Sequence, residues 1–463
     1  MEMKNLICSA ALSTIILLSG CAGKVEPLEQ SSLKLPTSFS LSGSTELAGK
    51  WWLAFGDDQL NTLIEQALTD NFSLKSAWER LSQAEALYRR NRAAIFPVID
   101  GEASGSHSTN QTDGTTINTD RAVLGLSASY ELDLWGKIDS EIQASRLDME
   151  ASGADLDAAA MTLTAEIAGT WYLLIQQTAS LRLLEEQIKT NINALELITA
   201  QFRTGQVPIA DVLQQRQLIE TQRGELELQL LQEGQTRHKL SVLMGQVPGS
   251  EVVEVTGQLI ELPALPATGV PAEVLSLRPD VLSSFLALQS ADSRVAAAVA
   301  DQYPALRLTA SLETVGSSTS TVFSDYLGSI MAGLTAPLLD GGRRKAEVER
   351  TSAVARERLH DYGQSLITAV GEVEDALLAE MQQQQYIQSL EMQLSLATQT
   401  MEQVKERYLK GVENYQRVLT ALTSLQSLQQ SKITAQKDLL LNRIELCRAL
   451  GHGWDYQLMK DKS

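Results

Sequence analysis

The chain has 463 residues, of which 44% are hydrophobic and 5% aromatic, and its formal net charge is −19. This charge argues against nucleic acid as a partner, because phosphate binding needs a basic face. The three cysteines and four histidines have no metal-ligand spacing, and no Ser/His/Asp set, phosphate-binding loop or catalytic carboxylate cluster stands out. We therefore expect neither an enzyme nor a metal- or cofactor-dependent protein. The charge fits either a solvated acidic surface or an acidic lumen that favours cations, and composition leaves both open.

The N-terminal segment predicts a signal peptide, residues 1–20, followed by a lipid anchor. Its apolar run, residues 6–18, fits a signal-peptide core and is too short to span a bilayer comfortably. The next residues, Leu18-Ser19-Gly20-Cys21, resemble the lipobox of bacterial lipoproteins, in which the cysteine is acylated. Ala22 replaces the aspartate that retains lipoproteins in the inner membrane, which implies the outer membrane. Residues 21–50 then predict an extended tether, whereas an ordinary signal peptide with an incidental cysteine is the alternative.

A helix, a two-faced strand and a very long helix follow in that order. The first helix ends at Phe96-Pro97, because proline cannot continue it. From Leu124 to Leu134 every even position is apolar, whereas the odd positions are glycine, serine or acidic residues. This period of two predicts a strand with one apolar face. No proline then occurs before Pro208, and residues 138–200 predict one helix about 95 Å long.

The mature chain contains an internal duplication. Three glycine pairs recur 206 residues apart: Gly136 and Gly342, Gly205 and Gly411, Gly245 and Gly451. The duplication predicts a first repeat at residues 51–250, a proline-rich joint at 251–272, a second repeat at 273–453 and a tail at 454–463. Each repeat is expected to contain a helix, two strands and two long helices. The strands of the second repeat are predicted at residues 306–313 and 326–338.

Four strands of about ten residues have the length needed to cross a bilayer obliquely. Four strands cannot close a barrel alone, because known barrels have at least eight. An open edge is not tolerated in lipid, since each unpaired backbone group there costs several kcal/mol. If these strands lie in a membrane, the chain must therefore form oligomers, and two chains would supply eight strands while three would supply twelve.

Several short motifs, in a fixed order over nearly the whole mature chain, resemble those of the TolC-type outer membrane factors. The motifs are Trp51-Trp52-x-x-Phe55-x-Asp57, Phe96-Pro97, Leu132-Asp133-Leu134-Trp135-Gly136-Lys137, Arg278-Pro279-Asp280 and Tyr303-Pro304. With the lipobox, they resemble the lipoprotein branch that serves tripartite efflux systems of the RND type. The resemblance implies a mainly helical chain with membrane strands. Three such chains form a 12-stranded outer membrane β-barrel that continues into a 12-helix periplasmic α-barrel.

The resemblance also implies a function and partners. Channels of this family are passive exit ducts for small molecules such as drugs. Substrate reaches them from an inner-membrane transporter through a periplasmic adaptor protein, and outer membrane lipid surrounds the barrel. Two uses of the same channel remain open, namely metal-ion efflux and type I polypeptide secretion, although the ten methionines are dispersed and do not suggest copper or silver. A periplasmic coiled-coil scaffold lipoprotein that never inserts its strands is a further alternative.

In relatives, the channel closes at the inward turn of the last helix pair. Tyr408 matches a closing residue there, but Thr420 and Thr423 stand where efflux relatives often carry aspartate and arginine. Asp211 and Arg417, which are equivalent in the duplication, could supply the missing charges or could be solvated surface charges. We expect closure mainly by packing and neutral hydrogen bonds. The candidate gate residues are Asp211, Tyr408, Gln416, Arg417, Thr420 and Thr423.

Two further side-chain environments are predicted. Trp51 and Trp52 are expected to pack within the protein rather than to bind a ligand. Cys447 lies on an apolar helical face and is expected to be buried and unreactive.

Overall fold

The computed structural model describes residues 35–44, 49–249, 254–255, 257–317, 323 and 325–451. The predicted signal peptide, Cys21 and the tail at 454–463 lie outside these residues. The described elements are α1 Asp58–Asp70, α2 Phe72–Arg92, β1 Val98–Thr112, β2 Thr115–Leu132, α3 Lys137–Arg203, α4 Ile209–Leu243, α5 Pro271–Leu277, α6 Pro279–Ala300, β3 Ala305–Gly316, β4 Tyr326–Thr335, α7 Arg343–Leu409 and α8 Tyr415–Leu450. The chain divides into two compact units. One contains the described residues within 80–152 and 283–363, and the other contains those within 33–79, 153–282 and 364–463.

The internal repeat is visible in the helices. α3 and α7 each contain 67 residues. α3 spans the proline-free run that predicted a single long helix. Length and composition alone would let α3 cross a bilayer, but 67% of its most apolar window is buried inside the chain. Helix packing therefore accounts for its apolar residues.

The four strands form one antiparallel sheet in the order β1-β2-β3-β4. Leu126 lies opposite Gly101 on β1 and Leu312 on β3, whereas the next row joins Ser127 to Asp100 and Ser311. Directly opposed residues point to the same side of a sheet. The even positions of β2 and β3 therefore share the apolar face, and the odd positions share the polar face, as the period of two predicts.

The strand bounds in the second repeat differ from the prediction, and the turn between β1 and β2 has a defined type. β3 extends to Gly316 rather than to 313, and β4 ends at Thr335 rather than at 338. Pro337, which has no N–H to donate to a ladder, lies two residues after Thr335. β1 and β2 meet in a two-residue hairpin turn in which Asp113 and Gly114 have φ of 49° and 80°. Positive φ at both positions is typical of the type I′ turn, which matches the twist of the flanking strands.

One carboxylate joins the starts of the two longest helices in the unit that contains the sheet. Asp301, just after α6, accepts hydrogen bonds from Lys137 at the start of α3 and from Arg344 Nε at the start of α7, the latter at 3.0 Å. Burial alone would raise the pKa of Asp301, but the hydrogen bonds and charges of these two cations outweigh burial and lower it. Asp301 therefore links the two repeats where their helices begin.

An aromatic stack lies at the same strand–helix junction. The rings of Trp135 and Tyr303 are 4.9 Å apart and nearly parallel, and Trp135 Nε1 donates to the carbonyl of Pro304 at 2.8 Å. Asp133 caps α3, because its carboxylate accepts from the backbone N–H groups of Ile138 and Asp139.

The second unit contains an aromatic core near the start of the described chain. Trp51 and Trp52 are 2% and 1% exposed and pack edge to face, with ring centroids 5.9 Å apart. Trp171 Nε1 donates to Asp57 Oδ2 at 2.8 Å, so the cap of α1 is held against α3. The prediction that Trp51 and Trp52 pack within the protein is confirmed.

The described end of the predicted tether also packs in this unit. Phe39 is 6% exposed and lies in a cluster with Val274 of α5 and Leu450 of α8. Gly43 N donates to the carbonyl of Pro266, and a Cβ atom at Gly43 would come within 1.8 Å of a backbone oxygen. Residues 39–43 are therefore fixed against the proline-rich joint.

A buried arginine connects the start of α6 to the end of α8. Arg278 is 1% exposed and donates to Asp280 at 2.6 Å, to Glu372 at 2.8 Å and to the carbonyl of Ala449 at 2.9 Å. Burial opposes the ionised form of Asp280, but its bonds to Arg278 lower the pKa of this carboxyl. Cys447 is buried, which confirms the predicted burial, and that burial raises the pKa of its thiol to about 12.

Candidate functional site

The candidate gate lies where each pair of long helices turns back. Gly205 and Gly411 have φ of 74° and 72°, a conformation that glycine adopts without steric cost. The residue after each glycine donates its backbone N–H to a carbonyl in the last turn of the preceding helix. Gln206 N donates to Gln201 O at 2.9 Å, and Val412 N donates to Arg407 O at 3.0 Å. These are Schellman turns, which satisfy the last carbonyls of α3 and α7. The same local chemistry therefore ends both helices.

An apolar cluster joins the α3–α4 hairpin to the α7–α8 hairpin close to these turns. Its buried members come from all four helices, and they are Ile198, Val212, Val404, Tyr415 and Val418. Tyr408 packs against the cluster while remaining partly exposed. The hairpins of one chain are therefore held together at their turns mainly by apolar contact.

Two tyrosines add neutral hydrogen bonds across the hairpins. Tyr408 OH donates to Gln201 Oε1 at 2.6 Å, and Tyr415 OH donates to Gln215 Oε1 at 2.6 Å. The two rings lie 5.7 Å apart. Burial is the main cause that raises the pKa of both phenols; Asp211 adds to it at Tyr408, and Tyr408 and then Asp211 add to it at Tyr415, so both remain protonated donors at neutral pH.

The candidate charged pair is not formed within the chain. Asp211 lies in the first turn of α4, and burial raises the pKa of its carboxyl. Arg417 instead faces Glu413, with 3.9 Å between Nη1 and Oε1, and Arg407 Nε lies 3.5 Å from the other oxygen of the same carboxylate. Both arginines thus lie within ion-pair distance of Glu413, close to the turn between α7 and α8. Among the described residues, no ion pair connects Asp211 to Arg417.

The three remaining candidates, Gln416, Thr420 and Thr423, lie on α8 away from the side that carries Tyr415 and Val418 of the apolar cluster. Gln416 and Thr420 are exposed, and Thr423 is half-buried. The Thr420 hydroxyl donates to the carbonyl of Gln416 at 2.9 Å, and the Thr423 hydroxyl donates to the carbonyl of Leu419 at 3.0 Å. Within one chain the structure therefore brings Tyr408 close to Asp211 but does not bring these α8 side chains to them.

Sequence reasoning missed Gln201, Tyr415 and Gln215, which make the hydrogen bonds between the hairpins. One signal was available for Gln215. It follows Val212 by three residues and precedes Ile219 by four, which is the spacing of a buried helical seam. A glutamine at such a position is fully buried here, and it needs a partner for that reason.

The polar face of the sheet carries most of its charge as carboxylates. Glu102 and Glu313 lie in one row on either side of Gly125, and a Cβ atom at Gly125 would come within 3.1 Å of the Glu313 side chain. In another row of this face, Arg307 Nη2 lies 3.0 Å from Glu131 Oε2.

The chain is similar to several known proteins over nearly its full length. The family model described as outer membrane efflux protein matches residues 63–246 and 270–452. The cation efflux system protein CusC of Escherichia coli O6:H1 is 28% identical over 450 residues, which cover 94% of this chain and 96% of CusC. The pyoverdine export outer membrane protein OpmQ of Pseudomonas aeruginosa is 28% identical over 475 residues, which cover 98% of each chain. A solved structure of the open state of the Neisseria gonorrhoeae MtrE outer membrane channel matches with a TM-score of 0.83 and 25% identity, and the match covers 93% of this chain and 98% of that one.

Proposed function

Because this chain belongs to the outer membrane efflux protein family, we propose that it is the passive exit duct of a tripartite efflux pump. The predicted family, fold class, efflux function and outer membrane location are confirmed by the match over both repeats and by the likeness to solved outer membrane channels. The assembly, the partners, the gate and the lipid anchor belong to the proposal. The duct is passive in this proposal, so a periplasmic adaptor and an inner-membrane transporter would deliver the substrate and supply the driving force.

The single observation that carries the assembly is the order of the strands. β1 and β4 each have one neighbour in the sheet, so each exposes one row of backbone N–H and C=O groups. Lipid cannot satisfy these groups. We propose that β4 of one copy pairs with β1 of the next, and that three copies close a barrel of twelve strands. A homotrimer also agrees with the family resemblance.

The test combines assembly with conductance. The purified protein should run as a trimer that resists detergent until it is heated, and it should conduct KCl in planar bilayers. Cysteine pairs placed along the facing sides of β1 and β4 should form bonds between chains at one register and not at neighbouring registers. A water-soluble protein that neither trimerises nor conducts would instead support the periplasmic scaffold.

The proposed gate closes by packing and neutral bonds near Tyr408 and not by an ionic lock. Tyr408→Ala should raise the resting single-channel conductance more than Asp211→Ala or Arg417→Ala. An exposed ion pair contributes only about 0–1 kcal/mol, and Arg417 is 68% exposed beside Glu413. High salt should leave closure unchanged once bulk conductivity is corrected, because neutral contacts are barely screened. An ionic lock would be favoured if Arg417→Ala opened the pore and salt had the same effect.

A lipid anchor at Cys21 supplements the barrel in this proposal. The lipobox supports it, and acyl chains on the first mature residue would hold the tether at the membrane. The residues between Cys21 and the packed Phe39 would then connect the anchor to the second unit.

Cation efflux is a second candidate, favoured by one observation on the sheet. The polar face carries Asp100, Glu102, Glu131 and Glu313 against Arg121 and Arg307, so a lumen lined by this face would be acidic on balance. CusC, which this chain resembles, is described as a cation efflux protein. The reversal potential in a KCl gradient tests the charge preference of the lumen. Growth of a deletion strain with added Cu(II), Ag(I) or drugs then distinguishes the cargo.

A further inference from the structure

Five buried amide side chains form a connected cluster between the two hairpins, and we name this cluster the amide hub. Its members are Gln187 and Asn191 of α3, Gln215 and Gln222 of α4, and Gln426 of α8. Asn191 Nδ2 donates to Gln222 Oε1 at 2.6 Å and lies 3.4 Å from Gln426 Oε1, and Gln222 Nε2 donates to the same Gln426 oxygen at 3.1 Å. Gln215 Nε2 donates to the Asn191 carbonyl at 2.8 Å. Asn191 thus contacts both other helices.

The burial of the hub makes its geometry specific. Asn191 and Gln215 are 0% exposed, and Gln222 and Gln426 are each 6% exposed. A buried amide that loses its partner keeps the full cost of its lost hydration. One polar side chain among apolar seam positions is also a known device that fixes the register of packed helices. The hub therefore allows few sliding or tilting movements between α3, α4 and α8 at this level.

The hub lies at one end of a series of hydrogen bonds between α3 and α8. Gln430 Nε2 donates to the Ser180 carbonyl at 3.1 Å, and Gln187 Nε2 donates to Gln429 Oε1 at 3.1 Å. Among the described residues, the contact of Asn191 with Gln426 is the last of this series toward the turns. Asn191 lies twelve residues before the end of α3, or about 18 Å along the helix.

Nearer the turns, the contacts between the hairpins are of a different kind. They consist of the apolar cluster around Ile198 and the two tyrosine bonds, Tyr408 to Gln201 and Tyr415 to Gln215. Apolar contact is non-directional, and Tyr408 is only partly buried, so water can replace its bond. Separating the helix ends therefore breaks two directional bonds, of which the Tyr408 bond is open to water and the Tyr415 bond is made to the hub member Gln215, whereas separating the helices at the hub would leave several buried amides without partners.

We propose that the amide hub is the fixed pivot of the gate, so that opening moves only the helix segments between the hub and the turns. Asn191, Gln222 and Gln426 are positioning residues, because they act by setting the height and register at which Tyr408 and Tyr415 meet their partners. This proposal rests on the proposed channel function and adds to it where the moving part begins.

Two crosslinks test the pivot, each measured as KCl conductance in planar bilayers on the full-length trimer in a Cys447→Ala background. The hub pair is Gln222→Cys with Gln426→Cys, and the tip pair is Gln201→Cys with Tyr408→Cys. A short bifunctional thiol reagent links each pair, and mass spectrometry verifies that the link lies within one chain. The hub-linked channel should open as often as its reduced form, whereas the tip link should abolish opening until it is cleaved.

Single substitutions give an independent readout. Asn191→Leu removes the centre of the hub at similar volume, so Tyr408 and Tyr415 lose the register at which they meet their partners. The resting open time should rise about tenfold, the effect of losing about one hydrogen bond at the turns. Gln383→Leu is the matched control, because Gln383 also donates between helices, to the Ala435 carbonyl at 2.9 Å, but within the second hairpin. It should leave the open time unchanged.

Three outcomes would overturn the pivot: a hub link that prevents opening, a tip link that permits it, or equal effects of Asn191→Leu and Gln383→Leu at equal trimer yield. If Asn191→Leu fails to assemble, the crosslink pair still decides. The absence of trimer and conductance in the unsubstituted protein would instead reject the proposed function itself.

Discussion

Lysine substitutions on the two faces of β2 test the membrane position of the sheet directly. Leu126 lies on the apolar face, is 56% exposed in the single chain and is six residues from the end of β2 at Leu132. Six residues extend about 20 Å along a strand. With the end of β2 taken as the periplasmic surface of the bilayer and a strand tilt of about 40°, Leu126 lies about 15 Å deep, close to the middle of an apolar band about 25 Å tall.

The magnitude follows from this depth. A lysine facing lipid near the midplane of a barrel costs about 2–4 kcal/mol, so Leu126→Lys should cost about 6–12 kcal/mol in a trimer. Ser127→Lys is the matched control, because its side chain lies on the polar face in a row with Asp100, whose carboxylate would attract the new cation. Leu308→Lys and Thr309→Lys repeat the comparison on β3.

The assay measures heat-modifiable trimer in the outer membrane fraction at equal expression. We expect Leu126→Lys and Leu308→Lys to lose most of the trimer, and Ser127→Lys and Thr309→Lys to retain it. Similar loss at both parities would show that the even positions do not face lipid, and the placement of the sheet in the membrane would then be wrong.

Three further predictions concern the lipid anchor, the buried thiol and the loss of trimer stability at acidic pH. Cys21→Ser should remove labelling by radioactive palmitate while leaving folded trimer in the membrane, and label remaining on the variant would exclude Cys21 as the acylated residue. Cys447, whose thiol is buried with a pKa raised to about 12, should react with a maleimide at pH 8 only after denaturation; fast labelling of the native trimer would contradict its burial. The pKa of Asp280 is lowered by Arg278, so its stabilising contribution is present above the unfolded value of about 3.9 and is lost as pH falls through the lower folded value. In Asp280→Asn, the trimer melting temperature should therefore fall less steeply as the pH decreases through this acidic range. An unchanged slope of melting temperature against pH would show that other carboxyls control the acid sensitivity.

The long helices and the strand faces could be predicted because each depends on a local pattern. Residues 138–200 contain no proline and repeat apolar residues at helical spacing, and α3 covers Lys137–Arg203. The alternation from Leu124 to Leu134 fixes which side chains share a face, and the register to β3 preserves it. The Asp113-Gly114 turn was also within reach, since this dipeptide between two polar-apolar stretches favours a hairpin.

The gate was harder to predict because proximity between hairpins is not a local property. Asp211 and Arg417 are equivalent in the duplication, but equivalent residues of two repeats occupy similar positions in different helices and need not meet. Arg417 instead lies beside Glu413. The hub glutamines have the composition of a solvated helix surface, and only their place in the apolar seam distinguishes Gln215 from an exposed glutamine.

The link made by Asp301 bears on the history of the duplicated gene. Counting back from the matched pair Tyr303 and Phe96, the first repeat has Ala94 where the second has Asp301. A chain built from two copies of the first repeat would lack this carboxylate, and the cation that starts each long helix would lose its shared counter-ion. At this junction the two halves are therefore no longer interchangeable, because only the second supplies the carboxylate that both long helices use.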